Sequence, residues 1–337
     1  MRLRLFYRKP YPTAFSIERL FDQLAEEFVR RDVQVERLVL PYYNNTPSTA
    51  RKNHRWAGTQ VKAASETGPT VNHITGDVNS IVFNLAAPTV ITIHDCNPLL
   101  RYPKWHPRYW WYRWMIFEWP ARRAAAVTVI SEKTRRELLQ LTNCAPAKLH
   151  LIPNFVDPAF TYQPRPFRQE YPTILQIGVK ENKNLARLAE ALEGLPCRLE
   201  IVGHPSPEDR AALDRAGVDY HYATGLSDAE VRQRYVDCDL LAFVSTYEGF
   251  GLPILEAQVT GRPVLTSDLE PHRTVAGGGA VLVDPYAVAS IRSGLERILR
   301  QEQLRTRIVS IGRTNAAQYA IGTVAQQYLD LYASLLS

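Results

Sequence analysis

The chain has 337 residues, 45% of them hydrophobic and 22% charged, the composition of an ordinary globular protein long enough for two domains, each with its own core. A membrane-spanning chain is excluded, since no stretch approaches the ~20 apolar residues a bilayer crossing needs. The four cysteines, Cys96, Cys144, Cys197 and Cys238, lie too far apart for a metal spacing and suit buried reduced thiols. The net charge of +6 is unevenly held: residues 1–165 carry 23 Lys and Arg against 13 Asp and Glu, and residues 166–337 carry 17 against 21. The first half therefore suits an acidic acceptor or an anionic membrane face. No recognised nucleic-acid module accompanies that charge, and no nucleic-acid partner is expected.

Residues 1–7 read as a short charged strand without the apolar core of a signal peptide, so a cytoplasmic protein is expected. Strand-like runs at 3–7, 35–40, 71–74, 89–93 and 125–130 alternate with helical or loop stretches. This predicts a parallel sheet covered by helices, with ligands gathered at the carboxyl ends of its strands. No G-x-G-x-x-G follows the first strand. Its loop instead holds Phe15-Ser16, and Ser16 reads as the N-cap of an amphipathic helix running to Phe28, or as a ligand contact. His73 to Asp77 ends one strand and Thr92-Ile93-His94-Asp95 ends the next. A histidine there can hydrogen-bond a reacting hydroxyl or orient its proton, and it can equally cap a neighbouring loop.

Between Arg101 and Arg123 lie five of the six tryptophans, six Lys or Arg residues and one acid. Residues 108–118 contain no Pro or Gly, which allows about three helical turns. Aromatics fall all round that helix, so an interfacial helix, an acceptor-cleft wall and core packing all remain open. Ser131 reads as the N-cap of the next helix. Prolines 158, 164, 166 and 172 then break regular structure and mark a linker.

The strand pattern restarts at 173–177. It is followed by Gly178-Val179-Lys180-Glu181-Asn182-Lys183 and an amphipathic helix over 185–195. Strands at 199–203 and 220–223 alternate with helices at 210–216 and 228–238. The apolar run 240–244 then leads into Ser245-Thr246-Tyr247-Glu248-Gly249-Phe250-Gly251-Leu252-Pro253-Ile254-Leu255-Glu256-Ala257, the turn and helix between two buried parallel strands. Gly249 and Gly251 allow close backbone approach to a ligand, and Pro253 is comfortable in a first helical turn. Free N–H groups and the positive end of the helix dipole then suit a phosphate, with amides of Gly249, Phe250, Gly251 and Leu252 around it. Glu248 and Glu256, eight residues apart, flank that anion site. An acceptor-only carboxylate can grip paired hydroxyls, which suggests a sugar on one side and a ribose on the other, and so a nucleotide-sugar site. Strands at 264–267 and 280–284 follow, with closing helices at 286–300 and 316–336.

Glu248 to Glu256 resembles the E-x7-E motif of retaining glycosyltransferases of the GT-B fold, family 4. The resemblance is strongest over 173–284 and weak before residue 70. It implies an α/β protein of two Rossmann-like parallel-sheet domains facing each other across a cleft. Residues 1–165 would be the acceptor-binding domain and 166–315 the nucleotide-sugar domain, with residues 316–337 a helix that can return to the first. It further implies that Glu248 binds the transferred sugar, Glu256 the ribose, and Lys183, after the Gly178 turn, the donor diphosphate. His94 would face the sugar and the acceptor, and the backbone near Leu226 would receive the base. Many relatives carry an arginine just after the glycine; Val179 stands there, so Lys180 is the candidate second cation. A glycine pair common in the first loop is replaced by Phe15-Ser16.

The expected activity is a retaining glycosyl transfer to a glycan or lipid-linked acceptor, in cell-surface polysaccharide or glycolipid synthesis. No cofactor and no divalent metal is expected, because lysine with backbone amides can neutralise the leaving group. The basic half leaves room for attachment to the inner face of a membrane. The alternatives are a nucleotide-sugar 2-epimerase of the same fold, which needs no acceptor, and a catalytically weak nucleotide-sugar-binding partner.

Overall fold

The computed structural model describes residues 1–10, 16–43, 46–63 and 68–337. These separate into two compact units, one of residues 1–155 with 321–337 and one of residues 156–320. The first passes into the second between Phe155 and Val156, because Phe155 is still buried in the core of the first unit.

The first unit holds strands β1 (Arg2–Tyr7), β2 (Gln34–Val39), β3 (Thr70–Ile74), β4 (Thr89–Ile93), β5 (Ala126–Val129) and β6 (Leu149–Leu151). They form one parallel sheet in the order β2-β1-β3-β4-β5-β6. Every residue of β3, β4 and β5 is buried, which explains the apolar runs of β4 and β5: both faces of the sheet are covered. Phe6, Ile74, Ile91 and Val129 point to one face, where Ala57, Ile116 and Phe117 meet them. Leu3, Leu5, Val71 and Val90 point to the other, under the helix Ser16–Arg30 and the last helix, Ile321–Ser334.

That last helix is pinned by a polar chain through the core. The Tyr332 hydroxyl lies 2.5 Å from His73 Nδ1, His73 Nε2 lies 2.7 Å from Thr92 Oγ1, and Thr92 Oγ1 lies 2.7 Å from Thr128 Oγ1. Both ring nitrogens of His73 are thus used internally. Burial, with a smaller contribution from His94, pushes its pKa down to about 3, so the ring is neutral and belongs to the core. The closing segment read as one helix over 316–336 is instead the end of a helix Glu302–Ala317, a turn, and the helix Ile321–Ser334. The turn exists because Gln318 N and Tyr319 N donate back to Asn315 O and Ala316 O, while Tyr319 O accepts from Val156 N.

Residues 107–123 are helical, longer than the 108–118 expected, and the middle widens into a π-helical stretch over Tyr112–Glu118. Pro120 has no N–H to return to Ile116 O one turn back. Asn79 supplies the donor, with Nδ2 2.9 Å from that carbonyl, and the wider turn absorbs the mismatch. The segment is divided by face. Tyr109, Ile116 and Phe117 are buried and Trp110 packs on the core, whereas Trp105, Trp114 and Trp119 are 81%, 41% and 46% exposed.

The second unit holds β7 (Thr173–Ile177), β8 (Arg198–Val202), β9 (Asp219–Ala223), β10 (Leu240–Phe243), β11 (Val264–Ser267) and β12 (Val281–Val283), all parallel in the order β12-β11-β10-β7-β8-β9. The strand order reverses between β7 and β10. A crevice opens at the carboxyl ends of the strands at such a switch point, because the loops there lead to opposite faces of the sheet.

Candidate active site

The loops after β7 and β10 meet at this switch point. Gly178 has φ +83°, and a Cβ there would stand 3.0 Å from Lys183 Cε. Glycine thus lets the lysine stem pass over the turn. Asn184 follows in the left-handed region at φ 61°, which asparagine tolerates better than most residues. Its buried Nδ2 donates to Val244 O at 3.1 Å and to Pro285 O at 2.7 Å, and its Oδ1 accepts from Arg187 at 3.0 Å. One side chain therefore ties the loops after β7, β10 and β12 together. Thr246 N donates to Asn182 O at 2.8 Å and closes the first two loops directly.

The charges then converge. Lys183 Nζ lies 2.6 Å from Glu248 Oε1, with both side chains mostly buried, and 4.5 Å from the centroid of the Phe243 ring. Asn182 Nδ2 donates to Tyr247 O at 2.8 Å and to Glu248 Oε1 at 3.3 Å. A lysine and a glutamate 65 residues apart in sequence thus share one point at the carboxyl edge of the sheet. Beyond them Gly251, at φ +116°, opens the helix Leu252–Thr260. A Cβ there would crowd Ile254 and His272 at 3.3 and 3.4 Å. Glu256 lies four residues into that helix, half-buried, and accepts from the hydroxyl of Tyr235, which is fully buried. Phe250 turns its ring inward, 5.9 Å from that of Tyr319, and offers the site its backbone.

In the first unit the ends of β1, β3 and β4 surround a cavity of about 170 Å³ whose walls include Arg8, Tyr43, Asp77, His94, Asp95 and Tyr112. His94 Nε2 lies 2.7 Å from Thr75 O. A carbonyl can only accept, so Nε2 carries the hydrogen and Nδ1 is the acceptor of the neutral ring. Burial holds the pKa of His94 below its ordinary value against the pull of the Thr75 carbonyl, Asp77 and Asp95. Gly76 makes room for the ring: a Cβ there would stand 2.9 Å from His94 Cδ2. Arg8 is ion-paired to Glu18 at 2.6 Å and also to Asp77.

Of the residues singled out from sequence, Gly178, Lys183, Glu248, Gly249, Phe250, Gly251, Leu252 and Glu256 lie on the two adjoining loops and the helix that follows. Leu226 is half-buried after β9, at the same edge of the sheet but three strands from β10. Lys180 is exposed and makes no ion pair among the described residues. His94 lies in the other unit. Ser16 opens its helix, but its side chain and all of Phe15 lie outside the described residues. Asn182, Asn184 and Tyr235 were missed. The two asparagines flank Lys183, and the left-handed turn between 3₁₀ and α segments is the signal that could have marked Asn184. Tyr235 occupies an ordinary apolar helix position, and nothing local points from it to Glu256.

Two family models match nearly the whole chain: "Glycosyltransferase Family 4" over residues 17–160 and "Glycosyl transferases group 1" over residues 161–315. This chain belongs to the group 1 glycosyltransferases. Among relatives of this glycosyltransferase, the MMP α-(1→4)-mannosyltransferase of Mycolicibacterium hassiacum is 24% identical over 279 residues, 76% of this chain and 67% of that one. The serotype-specific mannosyltransferase WbdA of Escherichia coli is 25% identical over 282 residues, 75% of this chain but only 34% of that one. Sucrose-phosphate synthase from Thermosynechococcus elongatus has the same fold, with a TM-score of 0.81 at 16% identity over 99% of both chains. Anabaena HepE, solved with UDP-glucose, gives 0.77 at 16% identity over 99% of this chain and 100% of that one. The fold is GT-B.

Proposed function

We propose that this glycosyltransferase moves a sugar from a nucleotide-diphosphate sugar to a hydroxyl of a glycan or lipid-linked acceptor, with retention of anomeric configuration. The observation that carries the reading is the Lys183–Glu248 pair at the β7/β10 switch point, beside the turn that opens the helix Leu252–Thr260. The Lys183 ammonium and the amides of Gly249, Phe250 and Gly251 neutralise the diphosphate as it leaves, work worth several kcal/mol where water is excluded. Glu248 accepts from hydroxyls of the sugar and Glu256 from the ribose. The bond from the anomeric carbon to the β-phosphate oxygen breaks, the acceptor oxygen bonds to that carbon on the same face, and its proton passes to the departing phosphate oxygen. His94, neutral and with its Nε2–H committed to Thr75 O, orients the sugar or acceptor through Nδ1. No divalent cation is required for this charge balance.

The same proposal takes the acceptor from an anionic membrane surface. It rests on the basic first half and on the outward tryptophans 105, 114 and 119, among the exposed Arg101, Arg108, Arg122 and Arg123. Trp and Arg together are what an interfacial helix uses.

The decisive experiment incubates the enzyme with UDP-, GDP- and ADP-sugars, with and without acceptor, in EDTA, and reads products by NMR. Transfer with retained configuration is expected. A new nucleotide sugar from donor alone would make it an epimerase, and an inverted glycosidic bond would overturn the retaining mechanism.

A further inference from the structure

A cavity of about 830 Å³, away from the Lys183–Glu248 site, lies in the second unit at the amino-terminal ends of the strands, where Asp239 leads into β10 and Arg262-Pro263 into β11. A cavity of that size holds a metabolite-sized molecule.

Its walls carry four guanidinium groups, those of Arg165, Arg262, Arg305 and Arg313, against two carboxylates, those of Asp239 and Glu302. Asp239 is already committed: it accepts from Arg168 Nε at 2.8 Å and from the amides of Thr173 and Arg168 at 2.7 and 3.2 Å. Glu302 is the one acid left at an exposed position to balance four cations. Arg262 and Arg305 are only 3% and 6% exposed, and burial lowers the pKa of both. This is the direction expected when a charged group is desolvated without a matching counter-ion.

Helix capping explains part of the cluster. Arg262 donates to Tyr235 O and Val236 O at 2.9 and 2.8 Å, and Arg165 donates to Val236 O and Asp237 O, which closes the carboxyl end of the helix Asp228–Asp237. Arg305 Nη1 does the same for Ile298 O and Leu299 O at 2.9 and 3.0 Å. Capping leaves over Nε and Nη2 of Arg305, and the whole guanidinium of Arg313, none of which makes a hydrogen bond among the described residues. Both groups are nevertheless held: Arg305 lies 4.2 Å from the Phe167 ring centroid and Arg313 3.6 Å from that of Tyr162. The Tyr162 ring is seated in turn on Gly261, where a Cβ would stand 2.5 Å from Cε2. A guanidinium held over a ring by its carbon keeps N–H groups available to grip the oxygens of a phosphate.

We infer that this cavity is an anion site for a small phosphate-bearing solute, separate from the Lys183–Glu248 site, with Arg305 and Arg313 as its free forks and Arg165 and Arg262 as its fixed positive wall. The test titrates inorganic pyrophosphate by calorimetry at constant ionic strength into Lys183→Ala, which removes the lysine of the other site. One binding event is expected to remain, and both Arg313→Gln and Arg305→Gln, built on that background, should weaken it at least fivefold. Arg313 is exposed and makes no hydrogen bond among the described residues, so its replacement removes only its contact with the Tyr162 ring. Cosedimentation with phosphatidylglycerol vesicles identifies the source: Arg313→Gln should leave it unchanged for a solute site, whereas a loss would assign the site to a lipid headgroup and overturn the solute. Absence of binding in Lys183→Ala, or binding unmoved by both arginine variants, would overturn the site itself.

Discussion

Tyr235→Phe removes one oxygen from a fully buried ring and asks whether Glu256 works because it is held in place. The phenol is kept protonated far above its ordinary range by burial and by the neighbouring Glu256 carboxylate, to which it donates. The packing of the ring on Phe160, 5.3 Å between centroids, is unaffected by the change. A hydrogen bond to a charged acceptor contributes about 1.5–3 kcal/mol. If Glu256 holds the ribose, a carboxylate released from the phenol loses its orientation, and the affinity for a nucleoside diphosphate should fall roughly 10- to 100-fold, at about 1.4 kcal/mol per tenfold. Calorimetric titration of wild type, Tyr235→Phe and Glu256→Ala measures this, with urea unfolding of the same three proteins alongside. Both variants should lose affinity by similar factors. A Tyr235→Phe protein that is less stable yet binds the nucleotide within twofold of wild type would refute the reasoning, since Glu256 would then be a structural acceptor for Tyr235 and not a ribose ligand.

His94 should be needed neutral. Its pKa is depressed, so kcat/KM should hold as pH falls through 6.5 and decline only at lower pH; a decline centred at or above 6.5 contradicts this. For His73 the folded pKa of about 3 lies below the ordinary 6.5, so its contribution to stability is full above 6.5 and is lost as pH falls toward 3. Going from pH 7 to pH 5 should cost about 2 kcal/mol, and urea unfolding of His73→Gln should show that much less pH dependence than wild type. Arg108→Glu with Arg122→Glu should release the protein from phosphatidylglycerol vesicles, each basic side chain near such a surface being worth about 1 kcal/mol. Arg113→Glu would be a poor probe, because Arg113 is paired at 3.2 Å with the buried Glu118. Wild-type protein that stays in the supernatant at low salt ends the membrane proposal.

What the sequence alone determined is local. Continuous apolar runs announce buried parallel strands because both faces of β4, β5 and β10 are covered. Gly178 and Gly251 stand out because glycine is required where backbone must pass closely or adopt positive φ. Glu248 and Glu256 are conspicuous because two carboxylates flank a glycine turn that opens a helix, a pattern that suits an anion with hydroxyls on either side. Tertiary structure decided whatever depends on strands adjacent in space and remote in sequence. His73 and His94 look alike on the page, each a histidine at a strand end. One is sealed in the core by Tyr332, which arrives 259 residues later, and the other lines a cavity. The division of the tryptophan segment is similar, since Asn79 takes up the Ile116 carbonyl that Pro120 cannot, within the helix that leaves Trp114 and Trp119 exposed. Tyr235 reaches Glu256 because the helices before and after β10 pack side by side, and four arginines from 165 to 313 gather round one cavity because segments remote in sequence meet at one edge of the sheet. Periodicity records which face of an element is buried, and it carries no information about which element will cover it.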